Sequence, residues 1–217
     1  MFKSHITAMV WSMIPVLNVG WHTDCSIPEH DADVLSLIDE EALTVFTFDG
    51  LKRRLGLHPE TLSRVLARLE DEGIVKKEVN GYTVTPKINR LRVQEARSEE
   101  SLVPLLQTYL PSNTQVQQLV TNLKGKWFGL LRWFGLAEDN RGVVMKWITE
   151  DGGIQINATI QDNTLNIEGK FLRDNNLNRA LSASYQLMSY IGSILSSRHH
   201  VASHVGFDDS NIFFMFA

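Results

Sequence analysis

Apolar and polar positions outline the chain's elements. In residues 31–41, Val34, Leu35, Ile38 and then Ala42 fall at helical spacing with acidic residues on the other face, where they suit the positive end of a helix dipole. Thr44-Val45-Phe46-Thr47 reads as a short strand or extended link. Asp49 is placed to cap a second helix through Leu55, with Leu51 and Leu55 inward and Lys52, Arg53 and Arg54 largely outward. Gly56 closes it, where a left-handed residue is commonly needed. Pro59 suits the first position of a third helix and Gly73 the residue just past its end. Leu62, Val65, Leu66 and Leu69 form a single apolar stripe on that helix, and its other side shows Glu60, Thr61, Ser63, Arg64 and, a turn later, Arg68. Residues 74–79 and 82–85 then flank Asn80-Gly81, a hairpin signal because both turn positions want positive φ.

Residues 87–125 read as helical connecting material, limited by Pro104. Ser112-Asn113-Thr114 offers caps for a helix holding Val116, Leu119, Val120 and Leu123, ended by Gly125. From Trp127 the period changes to two. Residues 128–136 open an antiparallel meander in which Val143, Met145 and Trp147 alternate, Asp151-Gly152-Gly153 turns the chain, and Ile154, Ile156, Ala158 and Ile160 form a half-buried strand. After Gln161-Asp162-Asn163, Leu165, Ile167 and Phe171 continue it. Residues 176–197 form an amphipathic helix with Leu177, Leu181, Met188, Ile191 and Leu195 on one side, and residues 211–216 a terminal apolar strand. The fold class expected is α+β, with an antiparallel-sheet domain at 126–217 carrying one long packed helix.

Composition places these elements in an ordinary globular protein of one or two domains: 217 residues, 43% hydrophobic and 21% charged. The single cysteine, Cys25, has no internal partner for a bridge, which points to a reducing, cytoplasmic setting. The net charge of −4 argues against a nucleic-acid partner until it is divided by segment. Residues 1–49 hold one basic and eight acidic groups, residues 50–97 eleven and six, and residues 98–217 nine and eleven. A basic island within an acidic chain is the asymmetry expected of a segment that meets a polyanion. Residues 6–19 are apolar apart from Thr7, Ser12 and Asn18, but fourteen residues broken by Pro15 are too short to span a bilayer. A small-residue cleavage site is also missing. Residues 1–30 are therefore expected to pack, with Trp11 and Trp21, against the C-terminal sheet.

Helix, short strand, helix, three-residue turn, helix and hairpin is the order of a winged helix-turn-helix. Residues 31–86 resemble that family, in particular regulators of the MarR and ArsR type and their archaeal relatives. The segment from Thr61 through Arg64, Arg68 and Gly73 to Val75 is similar to their recognition helix running into the wing. The resemblance implies a sequence-specific DNA-binding transcription regulator whose third helix enters the major groove. Arg64, with Thr61 and Ser63, would read base edges, an arginine fork binding guanine O6 and N7. Lys52, Arg53, Arg54 and Arg68 would sit on phosphates, and Lys76, Lys77 and Asn80 on the wing would touch backbone or the adjacent minor groove. Lys87, Arg90, Arg92 and Arg97 continue the basic island. The resemblance further implies a homodimer on two half-sites, with the connector at 87–125 or the α+β domain at 126–217, which otherwise serves sensing, pairing the subunits. Winged helices also serve as protein-interaction modules in transcription or chromatin assemblies, and that is the rival expectation.

Other chemistry is sparse. His199, His200 and His204 have spacing that can share a metal, with Asp208 and Asp209 nearby, but no Cys or Glu motif accompanies them and an exposed loop is the expectation. The sequence contains no Walker loop, dinucleotide fingerprint, nucleophile elbow or telling carboxylate pair. Neither enzyme activity nor a cofactor or metal is therefore expected. Trp127, Phe128, Trp133, Phe134 and Trp147 are candidates to line a pocket for a small-molecule effector, against their plainer role as core.

Overall fold

The computed structural model describes residues 29–85, 102–139 and 142–202. The expectations for residues 1–28, for the basic residues at 87–97, for His204 and for the strand at 211–216 lie outside the described residues, as do the side chains of His199 and His200. The architecture is α+β. Helix α1 (Glu29–Glu40), strand β1 (Val45–Phe46), helices α2 (Phe48–Leu55) and α3 (Pro59–Asp71) and the hairpin of β2 (Val75–Glu78) and β3 (Gly81–Val84) come first. They are followed by β4 (Val103–Tyr109), helix α4 (Val116–Leu123), the meander of β5 (Leu131–Asp139), β6 (Gly142–Thr149), β7 (Ile154–Gln161) and β8 (Thr164–Phe171), and helix α5 (Leu177–Ala202).

All eight strands belong to one antiparallel sheet in the order β2-β3-β1-β5-β6-β7-β8-β4. The two-residue β1 makes this possible by pairing on both sides. Val45 and Phe46 oppose Thr83 and Tyr82 of the hairpin, and Leu136 and Gly135 of the meander. Gly135 is required there, because a Cβ would lie 2.6 Å from the Val45 carbonyl oxygen. Strand alternation sends successive side chains to opposite faces. Trp133 and Trp147 join Ile156, Ile167 and the buried side of α4 and α5 in one core, whereas Phe134 and Ile148 join Val34, Phe46, Leu51, Leu62 and Leu66 in a second core beneath α1–α3.

Several sequence expectations shift. Residues 103–109 form an edge strand on β8 rather than helical connector, because a bulge between Pro104 and Leu106 accommodates the proline and breaks the alternation. Helix α4 is preceded by Gln115 without a side-chain cap, so Ser112-Asn113-Thr114 does not serve that purpose. Its Leu119, Val120 and Leu123 are buried as expected. The hairpin turns through Val79-Asn80, one residue earlier than expected, and Gly81 is already paired with Glu78. Gly81 has φ +146° and faces the Phe46 carbonyl, where a Cβ would collide. On α5 the deepest contacts come from Ala180, Ala183, Ser184, Leu187 and Ile191, while Leu177 is exposed. Small residues let the helix approach the sheet more closely than its leucines would.

Glu41 joins the helical unit to the sheet. It follows the last turn of α1, where Ala42 adopts a left-handed φ of 50° and Leu43 N–H donates to the Ile38 carbonyl, the geometry of a helix C-terminal cap. That turn buries Leu43 and leaves Glu41 4% exposed over the sheet. Its carboxylate accepts from Lys146 Nζ, from Lys170 Nζ at 2.9 Å and from Gln155 Nε2 at 2.9 Å, with Arg54 Nη2 3.7 Å away. Burial alone would raise its pKa, but attraction and hydrogen bonding by Lys146 and Lys170 prevail and hold it at about 2, below the ordinary 4.5. Because the folded value is depressed, the stability this group contributes is fully present above pH 4.5 and lost as pH falls toward 2. Glu41→Gln, which leaves Lys146 and Lys170 buried against a neutral group, is expected to cost about 3–5 kcal/mol in urea unfolding at pH 7. The same variant should also lack this component of the wild type's acid destabilisation.

Candidate nucleic-acid interface

The sequence positions α3 through its two neighbours. Thr47, rather than Asp49, caps α2: its hydroxyl accepts from Gly50 N–H at 3.1 Å and donates to the Trp133 carbonyl at 3.1 Å, tying the helix start to β5. Asp49 sits in the first turn and pairs with Lys52 at 3.2 Å. Gly50 lies so close to β5 that a Cβ would stand 2.6 Å from Phe134 Cδ2 and 2.8 Å from its Cα. Gly56 closes α2 with φ +69°. His58 then caps α3 by accepting from Glu60 N–H at 3.3 Å, and Pro59 starts the helix. At its other end, Gly73 N–H donates to the Glu70 carbonyl and Ile74 N–H to the Leu69 carbonyl, the paired bonds of a Schellman turn.

Leu62, Val65, Leu66 and Leu69 are buried beneath α3. The opposite side is open to solvent: Ser63, Arg64, Ala67 and Arg68 are exposed and Thr61 is half-buried. Lys76, Lys77 and Asn80 of the hairpin are also exposed, and Lys77 N–H donates to Glu70 Oε1 at 3.2 Å, which ties β2 to α3. The third helix and the hairpin therefore present the polar residues singled out in the sequence.

The cations on this surface are not all alike. Arg54 has its side chain only 17% exposed and directed to Glu41, so it belongs to the seam with the sheet. It was expected outward on phosphate, and the sequence did not reveal the buried carboxylate that draws it in. Arg68 spans from α3 to α1, donating from Nε to Asp31 Oδ2 at 2.9 Å and from Nη2 to Asp31 Oδ1. That pairing raises its pKa, since the hydrogen bond and charge of Asp31 outweigh desolvation. Arg64 pairs with Glu60 one turn back, Lys52 with Asp49, and Lys76 with Glu78 at 3.2 Å. Arg53 is half-buried, its carbonyl facing the turn at Gly152. Residues 29–85 hold seven basic and twelve acidic groups, a net charge of −5, and the fold brings acidic α1 alongside α3.

The residues missed by sequence reasoning are the carboxylates that answer these cations. Glu60 to Arg64 is an ordinary i, i+4 spacing and was open to detection. Asp31 and Glu41 pair across elements, and no local spacing reveals that. The aromatic residues do not surround one cavity. Trp133 and Trp147 pack edge to face at 5.1 Å, Phe128 lies 5.6 Å from Trp147, Phe134 belongs to the other face, and Trp127 is exposed beneath Arg132. Among the described residues, no group of three or more His, Cys, Asp or Glu side chains is arranged to hold a metal ion, and no helix is long and apolar enough to cross a membrane. Comparisons with protein-family models, curated proteins and solved structures find no match to this chain.

These positions separate a structural arginine from surface ones. Arg54→Ala is expected to lower stability by about 1–3 kcal/mol in urea unfolding, since it removes a largely buried cation 3.7 Å from a buried carboxylate. Arg64→Ala should leave the unfolding midpoint nearly unchanged.

Proposed function

We propose that residues 31–86 form a winged helix-turn-helix and that the protein is a sequence-specific DNA-binding regulator with α3 as its recognition helix. The observation that carries this reading is the open outer side of α3, where Thr61, Ser63 and Arg64 stand at the helix's leading end with exposed Lys76, Lys77 and Asn80 on the adjoining hairpin. A helix entering the major groove by its N-terminal residues would set Arg64 against base edges. Lys52, Arg53, Arg68, Lys76 and Lys77 would contribute the salt-dependent contacts to phosphate. Arg54 is left out of that set. Glu70, Asp71 and Glu72 lie at the far end of α3, away from the groove in this docking.

A protein-interaction module is the second reading, and the net charge of −5 over residues 29–85 favours it. Five of the seven cations already have carboxylate neighbours within the chain, which lowers the field available to attract a polyanion.

Selection of bound duplexes from a random pool, followed by fluorescence anisotropy at several salt concentrations, distinguishes the two. A regulator gives a defined site and an affinity that falls with salt, log K against log[salt] having a slope of about −4 for four or five phosphate contacts. Arg64→Ala is expected to reduce preference for the selected site over random duplex by about tenfold, within the range of one bidentate base contact. Lys76→Ala should weaken all duplexes alike and reduce the slope by about one. Glu60→Gln should tighten binding by releasing Arg64 and removing a carboxylate from the groove. Absence of any salt-linked duplex binding, together with a stoichiometric protein complex through α3, would establish the second reading.

A further inference from the structure

Helix α5 has an outer side unlike a solvated surface. Its inner side is fixed by Ala180, Ala183, Ser184, Leu187 and Ile191 against the sheet and α4. The opposite side carries Asn178, Ser182, Tyr185, Ser189 and Ser196, all exposed, with half-buried Gly192 on the same line. An amphipathic helix facing water ordinarily places charges there. In a chain that is 21% charged, residues 180–197 contain no charged side chain. Eighteen such residues extend along about 27 Å of helix.

Exposed large hydrophobic side chains gather in the same region. Leu177, Tyr185 and Tyr190 lie on α5, and Trp127 on the loop before β5; Tyr185 and Trp127 are each 63% exposed. Tyr190 packs on Phe128 at 4.7 Å, and a Cβ on Gly129 would meet the Gln186 side chain, which joins that loop to the helix. A shallow groove of about 660 Å³ follows Asn178, Leu181, Ser182, Tyr185, Gln186 and Ser189. The positions 178, 182, 185, 189, 192 and 196 repeat with the alternating four and three spacing that keeps one seam on a helix facing a partner helix.

We infer that the outer side of α5 pairs with the same side of a second copy of this chain, the two helices running antiparallel about a twofold axis near residue 187. Self-association about a twofold requires a surface that complements itself. A charged surface opposes its own copy, whereas this uncharged one brings no like charges together. The antiparallel arrangement also matches size. The positions pair as 185 with 189, 182 with 192 and 178 with 196, so Tyr185 rests over Ser189 of the other copy and Ser182 meets Gly192. A parallel pair would set Tyr185 against its own copy. A Cβ added at Gly192 would find nothing within 4 Å, so its open side leaves room for a neighbour. This inference deepens the proposed regulator by supplying a twofold for two half-sites, and of the two segments expected to pair the subunits it selects the C-terminal domain, through α5. The pairing itself stands on the α5 surface alone.

Sedimentation velocity of the full chain between 1 and 100 μM, on the order of the concentrations at which modest interfaces assemble, tests it. The wild type is expected to be a dimer, and Ser189→Glu, which places a carboxylate in each half of the seam, a monomer with unchanged far-ultraviolet circular dichroism and urea midpoint. Gln107→Glu on exposed β4 should remain dimeric. In a Cys25→Ser background, Ser182→Cys combined with Gly192→Cys should give a disulfide-linked dimer on mild oxidation, and Ser182→Cys alone should not. A monomeric wild type, or a dimer unaffected by Ser189→Glu, overturns the proposal, and efficient linkage by Ser182→Cys alone overturns its antiparallel register. If the chain dimerises in this manner and binds no duplex, the regulator reading fails while this one stands.

Discussion

The carboxylate of Glu41 is the point at which the helical unit and the sheet become one body. A buried anion carries a large desolvation cost, and it persists only because two ammonium groups, an amide and a nearby guanidinium converge on it. The groups come from α2, β6, β7 and β8, so one carboxylate ties a helix to three strands. Lys146 and Lys170 in turn each receive a buried carboxylate partner in Glu41. Delivery depends on the left-handed Ala42, whose conformation costs energy for a residue with a Cβ. Backbone strain at residue 42 is thus offset by the charges it brings together.

The shared sheet adds a second constraint of a different kind. The hairpin is hydrogen-bonded through β1 to the meander, and α2 is seated on β5 at a distance that admits only glycine at position 50. Polar attraction, strand pairing and close packing therefore fix one orientation between α1–α3 and the sheet. In the proposed regulator this makes the recognition helix a rigid extension of the C-terminal fold. A twofold set by α5 would then fix the separation and angle of the two recognition helices without a hinge between them.

The helices were legible because burial follows a stripe: Leu62, Val65, Leu66 and Leu69 in α3 and Leu119, Val120 and Leu123 in α4 lie where the spacing puts them. Gly56, Pro59 and Gly73 marked ends because the backbone itself demands them. Errors arose where a residue answered to a distant partner. Gly81 has the conformational freedom of a turn residue, yet its place is fixed by the Phe46 carbonyl on another strand. Strand β4 escaped notice because its bulge removes the alternation by which a strand is recognised. Arg54 looked like Lys52 and Arg53 in sequence, and only the fold reveals that Glu41 lies within its reach. The exposed candidates on α3 and the hairpin were recoverable because exposure needs no partner.

The same distinction bears on how an acidic helical unit could meet the polyanionic partner proposed for it. Ion pairs at the surface contribute little, since both charges retain water and the side chains lose freedom when they pair. Arg64 with Glu60, Lys52 with Asp49 and Lys76 with Glu78 are of this kind, and each cation can exchange its carboxylate for a phosphate or a base edge at small cost. Arg54 with Glu41 is the opposite case: its partner is desolvated and its own side chain is largely buried, so drawing it outward means unpacking it from the seam with the sheet. Arg68 lies between, its own side chain half exposed but its partner Asp31 buried against α3. Burial of the carboxylate, more than the number of cations, therefore decides which positive charges are free to act outward, and the free ones lie on α2, α3 and the hairpin.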